Sequence, residues 1–307
     1  MRGLLELPAG AVLAAIDKSS DYVQVPGSGL PVRDPFGIGR HIWRQQHFIQ
    51  KDGLVWFFSK NGNARTSTLY RYDRQLSRAD SFFLPMIIDR ICVLDKHTAI
   101  LAQIPWLFRF DARNGRLEKY KENGRPKQFQ FGTQVHDMLA GRDQKLWVGS
   151  NDGLWEVDLR AQKSRRLGLE SGLRDKRVQV LCESSAGLIW FGTVLGGLHA
   201  FEPKSGDMRV VNRASGLANN TVVSILEDDA GMIWAGTYDG LSVLHPDGQV
   251  LGNLDVTNGL THTEFNRFSF LKTRTGALFF GTVQGLNIIN PGKLKVGLVD
   301  RKAGQVF

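Results

Sequence analysis

The sequence predicts an all-β fold of repeated four-stranded units, and three observations carry that prediction. The first is one motif written four times: Trp147-Val148-Gly149-Ser150, Trp190-Phe191-Gly192-Thr193, Trp234-Ala235-Gly236-Thr237 and Phe279-Phe280-Gly281-Thr282. Its lead aromatics stand 43, 44 and 45 residues apart, a period that belongs to blade-like repeat units. The second is the punctuation: short β-branched and aromatic runs are bounded by Gly, Asp, Asn and Pro, as hairpins require. The third is that no segment carries a long helical pattern.

The period extends backwards in weaker form. Its anchors are Val12, Trp56, Ile100, Trp147, Trp190, Trp234 and Phe279. Eight residues before them stand Leu4, Phe48, Cys92, Leu139, Cys182, Leu226 and Leu271, all apolar or thiol, as expected of one repeated core position. Two residues after the anchors stand Ala14, Phe58, Ala102, Gly149, Gly192, Gly236 and Gly281. All but Phe58 are small, which predicts close backbone approach there.

The best-written repeat shows the strands of one unit. Val222–Glu227 is the first, and Asp228-Asp229-Ala230-Gly231 a turn. Met232–Thr237 is the second, Tyr238-Asp239-Gly240 a turn, and Leu241–Leu244 the third. His245-Pro246-Asp247-Gly248 turns the chain into Val250–Leu254. Four antiparallel strands make a propeller blade, and roughly four to eight blades close a ring. The prediction is a seven-bladed β-propeller of four-stranded antiparallel blades, filling residues 1–307 as one domain.

Composition narrows the function classes. Net charge is +9, which favours anionic partners through long-range attraction. The charges are scattered, and the densest run, Lys163-Ser164-Arg165-Arg166 with Arg174, Lys176 and Arg177, falls on an outer strand and the following loop. It reads as a solvated face before an anion site. No helix, RNA-binding module or zinc motif accompanies it, so nucleic acid is not an expected partner. The two cysteines fall in the same slot of repeats three and five. A whole blade between them keeps them beyond the roughly 7 Å that a disulfide spans, so both are expected as buried free thiols. Met1 to Val12 has a charge and an apolar stretch, but Glu6 and Pro8 interrupt it, and it reads as a blade strand before a signal peptide. No apolar run is long enough to span a membrane.

The search for chemistry gives no catalytic residue, no metal site and no cofactor. His41, His47, His97, His136, His199, His245 and His262 stand at seven different offsets from the anchors, so no ring of ligands is implied. His-Glu-x-x-His, Cys-x-x-Cys, P-loop and Gly-x-Ser-x-Gly patterns are absent. Asp228, Asp229 and Asp239 read as turn residues, whose side chains bond the local backbone. Trp56, Trp147, Trp155, Trp190 and Trp234 read as core between blades. Trp147, Gly149, Trp190, Gly192, Trp234, Gly236, Phe279 and Gly281 form the structural motif.

Ligand candidates therefore come from loops at one face. One set joins the second and third strands: Lys60, Asn61, Arg65, Trp106, Asn151, Asp152, Tyr238 and Gln284. The other joins an outer strand to the next inner strand: Arg33, Asp34, Arg174, Lys176, Arg177, Asn219, Asn220, His262 and Glu264. Aromatic faces stack on sugar rings, and Arg grips carboxylate or sulfate through two parallel hydrogen bonds. Some of these, such as Asn219, recur as repeat motif and read as structural.

The repeats resemble the two-component regulator propeller family. Gly216-Leu217, Asn219-Asn220, Ile225-Leu226-Glu227-Asp228, Gly231-Met232-Ile233-Trp234, Gly236-Thr237 and Gly240-Leu241 carry the resemblance. So do Gly172-Leu173, Leu181-Cys182-Glu183, Gly187-Leu188-Ile189-Trp190, Gly192-Thr193 and Gly197-Leu198. It holds from about residue 135 to 292 and is weak before 130. Asn258-Gly259-Leu260, Glu264-Phe265-Asn266, Gly276, Phe279-Phe280-Gly281 and Gly285-Leu286-Asn287 resemble the last blade of the family's membrane-proximal propeller.

The resemblance implies a non-catalytic, periplasmic sensor module of a hybrid histidine kinase, responding to an oligosaccharide or polysaccharide fragment. It implies as partners a neighbouring propeller and an Ig-like domain of the same receptor, with a homodimer in the full-length protein. Two alternatives stay open: a propeller enzyme of lyase or lactonase type, and a protein-interaction and transmission scaffold without a ligand of its own. Fold alone does not choose among them.

Overall fold

A computed structural model describes residues 3–6, 12–15, 22–25, 49–61, 65–73 and 78–293. Among these, every sheet is antiparallel and follows the chain strand by strand. The first sheet is Gly3–Glu6, Val12–Ala15 and Tyr22–Val25. The second is Ile49–Lys51, Leu54–Lys60, Ser67–Asp73 and Arg78–Leu84. The third is Arg90–Val93, Thr98–Gln103, Trp106–Asp111 and Arg116–Lys119. A small hairpin, Lys121–Glu122 with Arg125–Pro126, follows. The fourth sheet is Val135–Ala140, Lys145–Ser150, Gly153–Asp158 and Lys163–Leu167. Val178–Glu183, Ile189–Thr193, Leu198–Phe201 and Met208–Val211 make the fifth. Val222–Glu227, Ile233–Thr237, Gly240–Leu244 and Val250–Leu254 make the sixth. Phe265–Lys272, Leu278–Thr282 and Leu286–Ile289 make the seventh. Five sheets thus have the predicted four strands, and the first and seventh have three among the described residues.

The chain divides into two compact units, one of Arg2–Ser171 with Lys176–Val178 and one of Gly172–Asp175 with Gln179–Phe307. In the first unit, Trp56, Phe58 and Leu69 pack against Ile91, Leu101 and Phe110. Ile100, Ala102 and Leu107 pack against Leu146, Val148 and Trp155. In the second unit, Trp190 and Leu198 meet Val222, Ile225 and Ala235. Trp234, Leu241 and Val243 meet Phe265, Leu278 and Phe280. A sheet packed on both faces buries successive strand residues alternately against its two neighbours. That is why Ile189–Thr193 and Ile233–Thr237 are buried at every position.

The motif tryptophans sit where the period places them. Trp56, Trp147, Trp190 and Trp234 are at most 2% exposed. A Cβ on Gly192 would come within 2.6 Å of the Val222 carbonyl oxygen, and one on Gly236 would press into Ser224 and the Phe265 ring. The predicted close approach at these glycines is real: the strand behind needs the space.

Three expectations need correction. The position eight before the anchor is half-buried at Leu139, Cys182, Leu226 and Leu271. It lies directly across the inner hairpin from the anchor, as Leu139 does from Trp147 and Leu226 from Trp234. Large aromatics fill that interface, and their small partners stay near its edge. Cys182 is accordingly a free thiol that is only partly buried, while Cys92 is buried as expected. The weakest repeats are also slightly out of register: Leu4 pairs with Ala14 instead of Val12, and Ile49 with Trp56. Phe48 lies outside the described residues.

Candidate ligand-binding face

Each turn between second and third strands is fastened by the last residue of the motif. Its hydroxyl donates to a turn carbonyl: Ser150 to Gly153 at 3.0 Å, Thr193 to Gly197 at 3.0 Å, Thr237 to Gly240 at 2.7 Å and Thr282 to Gly285 at 3.1 Å. The same oxygens accept from turn N–H groups of Asp152, Gly196, Asp239 and Gly285. This is why the motif closes on Ser or Thr. The first turn amide then bonds the preceding outer-to-inner loop: Asn151 N–H to Gln134 O, Tyr238 N–H to Thr221 O and Val283 N–H to Glu264 O, at 3.0, 3.2 and 3.2 Å. Within a sheet, therefore, the two loop sets meet at one end, as the sequence predicts.

A second fastening was invisible in the sequence. The third-strand residue facing the one after the anchor is His199, Ser242 and Asn287 in the last three sheets. Each accepts from the amide just after a Gly-Leu pair: Arg174 N–H to His199 Nε2 at 3.2 Å, Ala218 N–H to Ser242 Oγ at 3.0 Å, Thr261 N–H to Asn287 Oδ1 at 2.8 Å. His199 is fully buried and stacks on Phe191, 4.9 Å between ring centroids. Burial lowers its pKa to about 4, so the ring is neutral at pH 7 and its Nε2 remains an acceptor.

The candidate residues separate into engaged and open ones. Lys176 and Arg166 both hold Asp152, at 3.1 and 2.6 Å. Desolvation opposes ionisation of Asp152, but hydrogen bonds and charge from these two cations outweigh it and lower its pKa. Arg165 pairs with Glu156. Arg165, Arg166 and Lys176, three of the six cations of the basic run, are thus paired with Glu156 or Asp152. Lys60 lies 3.7 Å from Asp89, and Asn61 bonds Thr66 and Thr68 across its turn. Arg65 is exposed at a positive φ of 49°. Trp106 is half-buried beneath the Lys119 ammonium, 4.0 Å from the ring centroid. Arg177 is half-buried and has an interaction of its own, whereas the Arg174 side chain is exposed. His262 Nδ1 accepts from the Glu264 amide at 2.9 Å. Asn219 and Asn220 cap local amides of Thr221 and Arg213, as structural motif residues do. Arg33 and Asp34 lie outside the described residues.

Tyr238 is 44% exposed. Its counterparts on the neighbouring turns of the same unit, Leu195 and Val283, are more exposed still, at 62% and 50%. Neither is polar or aromatic, so neither stands among the loop candidates that the sequence offers. The acidic turn is structural: Asp228 accepts from the amides of Ala230 and Met232 and from Trp234 Nε1, each at 2.9 Å. His245 Nδ1 lies 3.0 Å from an Asp247 carboxylate oxygen. No group of three or more His, Cys, Asp or Glu side chains assembles with metal-site geometry among the described residues. No described helix is long and apolar enough to cross a membrane.

Residues 216–239 match the family described as two component regulator propeller. No curated protein matches. Among solved structures, the chain is similar to the extracellular domain ascribed to the hybrid two component system BT4673 of B. thetaiotaomicron, with 18% identity and a TM-score of 0.69 over 93% of this chain and 37% of that one. The corresponding domain of BT3049 gives 14% identity and 0.69, over 94% and 39%. The chain therefore spans under two-fifths of the length of these domains. Virginiamycin B lyase from Staphylococcus aureus gives 13% identity and 0.68, over 94% and 92%. At such identities the likeness is one of fold. The sequence resemblance and the family match meet on the sixth sheet, and the chain carries there the two component regulator propeller repeat.

Proposed function

We propose that this chain is a non-catalytic, ligand-binding propeller module of an extracytoplasmic two-component receptor. In this reading seven blades close one ring over residues 1–307, and the module works in the periplasm. It sits next to the membrane, beside a second propeller and an Ig-like domain of a receptor that dimerises. The ligand is an oligosaccharide or polysaccharide fragment. The observation that carries the reading is Tyr238, held open to solvent on a turn whose backbone is fastened at both ends. A sugar ring needs a fixed aromatic platform, and Glu264 on the adjoining loop and Arg174 on another loop of the same unit supply polar groups. Lys60, Asn61, Arg65, Trp106, Lys176, Arg177, His262 and Arg33 complete the proposed set. A ligand signals only through different affinity for two receptor states, so binding at this face must be coupled to a neighbouring domain.

Exposed Leu195 and Val283 favour a second reading, a transmission scaffold whose face meets protein. A lyase or lactonase reading has only shared fold behind it. Thermal-shift titration against neutral and acidic oligosaccharides separates the readings. A saturable rise in Tm that Tyr238→Ala abolishes supports the sensor. No shift across the panel supports the scaffold, and turnover of any panel member supports the enzyme.

A further inference from the structure

Between the outer strands of the third sheet and the fourth sheet lies a groove of about 430 Å³, entirely within the first unit. This is the size of a small-molecule site, typically about 300–1,000 Å³. The two sheets pack closely at the floor of the groove, through residues of their second and third strands. Ile100 and Leu107 face the fourth sheet there and are at most 4% exposed. Farther out, the facing row on the third sheet changes character: Ile100 pairs with Arg109, which pairs with Glu118. Leu159 and Gln162 form the opposite lip, and Tyr120 closes one wall with its hydroxyl donated to the Asp158 carbonyl at 3.4 Å.

The charge around this apolar floor is unbalanced. Each nearby carboxylate already has a cation. Glu118 pairs with Arg116 at 2.5 Å, Glu122 with Lys127 at 2.5 Å and Asp158 with Lys145 at 3.0 Å. Lys119 is drawn over Trp106. Arg109 and Lys121, both exposed and both lining the groove, have no carboxylate at ion-pair distance among the described residues. Two unneutralised cations beside buried aliphatic side chains match a ligand with a charged head and an apolar body.

We propose that this groove binds an amphiphilic organic anion, its carboxylate or sulfonate against Arg109 and Lys121 and its apolar part over Ile100, Leu107 and Leu159. The guanidinium offers the planar fork that grips such a head, and the aliphatic stems of both cations extend the apolar wall. The site is separate from the loop face and stands whatever that face binds.

The probe is decanoate below its micellar range, titrated into the whole chain by calorimetry, with decyltrimethylammonium as the charge-reversed control. Saturable one-to-one binding of decanoate is expected, and none of the cation. Arg109→Glu and Lys121→Glu are each expected to weaken binding about tenfold, with unchanged melting curves because both residues are exposed. Leu159→Asp should remove binding by charging the apolar lip. Tyr238→Ala and Arg213→Glu, outside the groove, should leave it unchanged. The proposal is overturned if decanoate gives no saturable heat, or if both amphiphiles bind alike. Charge reversals that leave the affinity within about twofold would overturn it equally.

Discussion

The fifth and sixth sheets are neighbouring copies of one repeat, and they solve one problem with different chemistry. In both, a buried third-strand side chain accepts the amide that follows a Gly-Leu pair, holding the incoming loop to the sheet. The fifth uses the His199 imidazole and the sixth the Ser242 hydroxyl. They differ again beneath the anchor tryptophan. Trp234 donates its indole N–H to Asp228 at 2.9 Å, whereas buried Trp190 Nε1 has no hydrogen-bond partner among the described residues. What the two sheets share is the backbone geometry and the packed indole. The polar groups that finish each contact differ from sheet to sheet, and in the fifth sheet one buried donor stays unmet.

The largest expected effect tests the shared part. Trp190→Ala and Trp234→Ala should each cost about 3–5 kcal/mol, as large-to-small core changes do. Denaturant unfolding measures both. The two costs should agree to within about 1 kcal/mol, since both side chains are at most 2% exposed and the hydrogen bond adds only about that much. A Trp190→Ala cost under about 1 kcal/mol would mean the indole is not a core anchor.

Next in size is the difference in titration. The His199 pKa falls from the ordinary 6.5 to about 4, chiefly by burial. Between those values the unfolded chain binds a proton that the folded chain refuses. Stability is therefore full above pH 6.5 and declines as pH falls towards 4, by roughly 3 kcal/mol. Asp95 and Asp152 have lowered pKa values, so their losses fall mainly below the normal carboxylate value and do not mask this window. His199→Asn places at this position the side chain that Asn287 supplies in the seventh sheet. It should flatten the slope between pH 6.5 and 4 and leave the steeper acid limb. A wild-type curve flat across that window would sink the assignment, because an imidazole held neutral by burial cannot avoid it.

The same comparison explains which parts of the molecule were legible in advance. The period could be read because Trp147, Trp190 and Trp234 each fill an equivalent crowded position on their own sheet, and few side chains fit it. Gly192 and Gly236 were legible for the complementary reason, since a Cβ there meets the strand behind. The fastening by His199, Ser242 and Asn287 was not. Three unlike side chains do the work, and the turn before His199 is one residue longer than the turn before Ser242, so counting from the anchor places them at different offsets. Hairpin length also displaced the first repeats, where Leu4 meets Ala14 and Val12 faces Glu6. Of the candidate site, the loops were legible and their state was not. Lys176 looked free in the sequence, but Asp152 holds it. Leu195 and Val283 are aliphatic, a residue type that gives no signal of exposure in sequence, yet their turns leave them open to solvent.

The smallest effects are the most discriminating, because they ask whether the polar finish can be moved between sheets. Ser184 holds in the fifth sheet the place of Asp228 in the sixth: Ser184 N–H bonds Leu188 O, as Asp228 N–H bonds Met232 O. Trp234→Phe removes a donor and leaves a buried carboxylate oxygen unmet, so it should cost about 1–2 kcal/mol more than Trp190→Phe, which removes a donor already unmet. Ser184→Asp should then supply Trp190 with the acceptor it lacks and raise stability by about 1 kcal/mol. In the Trp190→Phe background the same substitution should lose that gain, since the new carboxylate would meet one donor fewer. A double-mutant cycle measures the coupling directly. Coupling near zero would mean that the indole N–H of the fifth sheet is out of reach of position 184, and that the two sheets differ in backbone as well as in side chain.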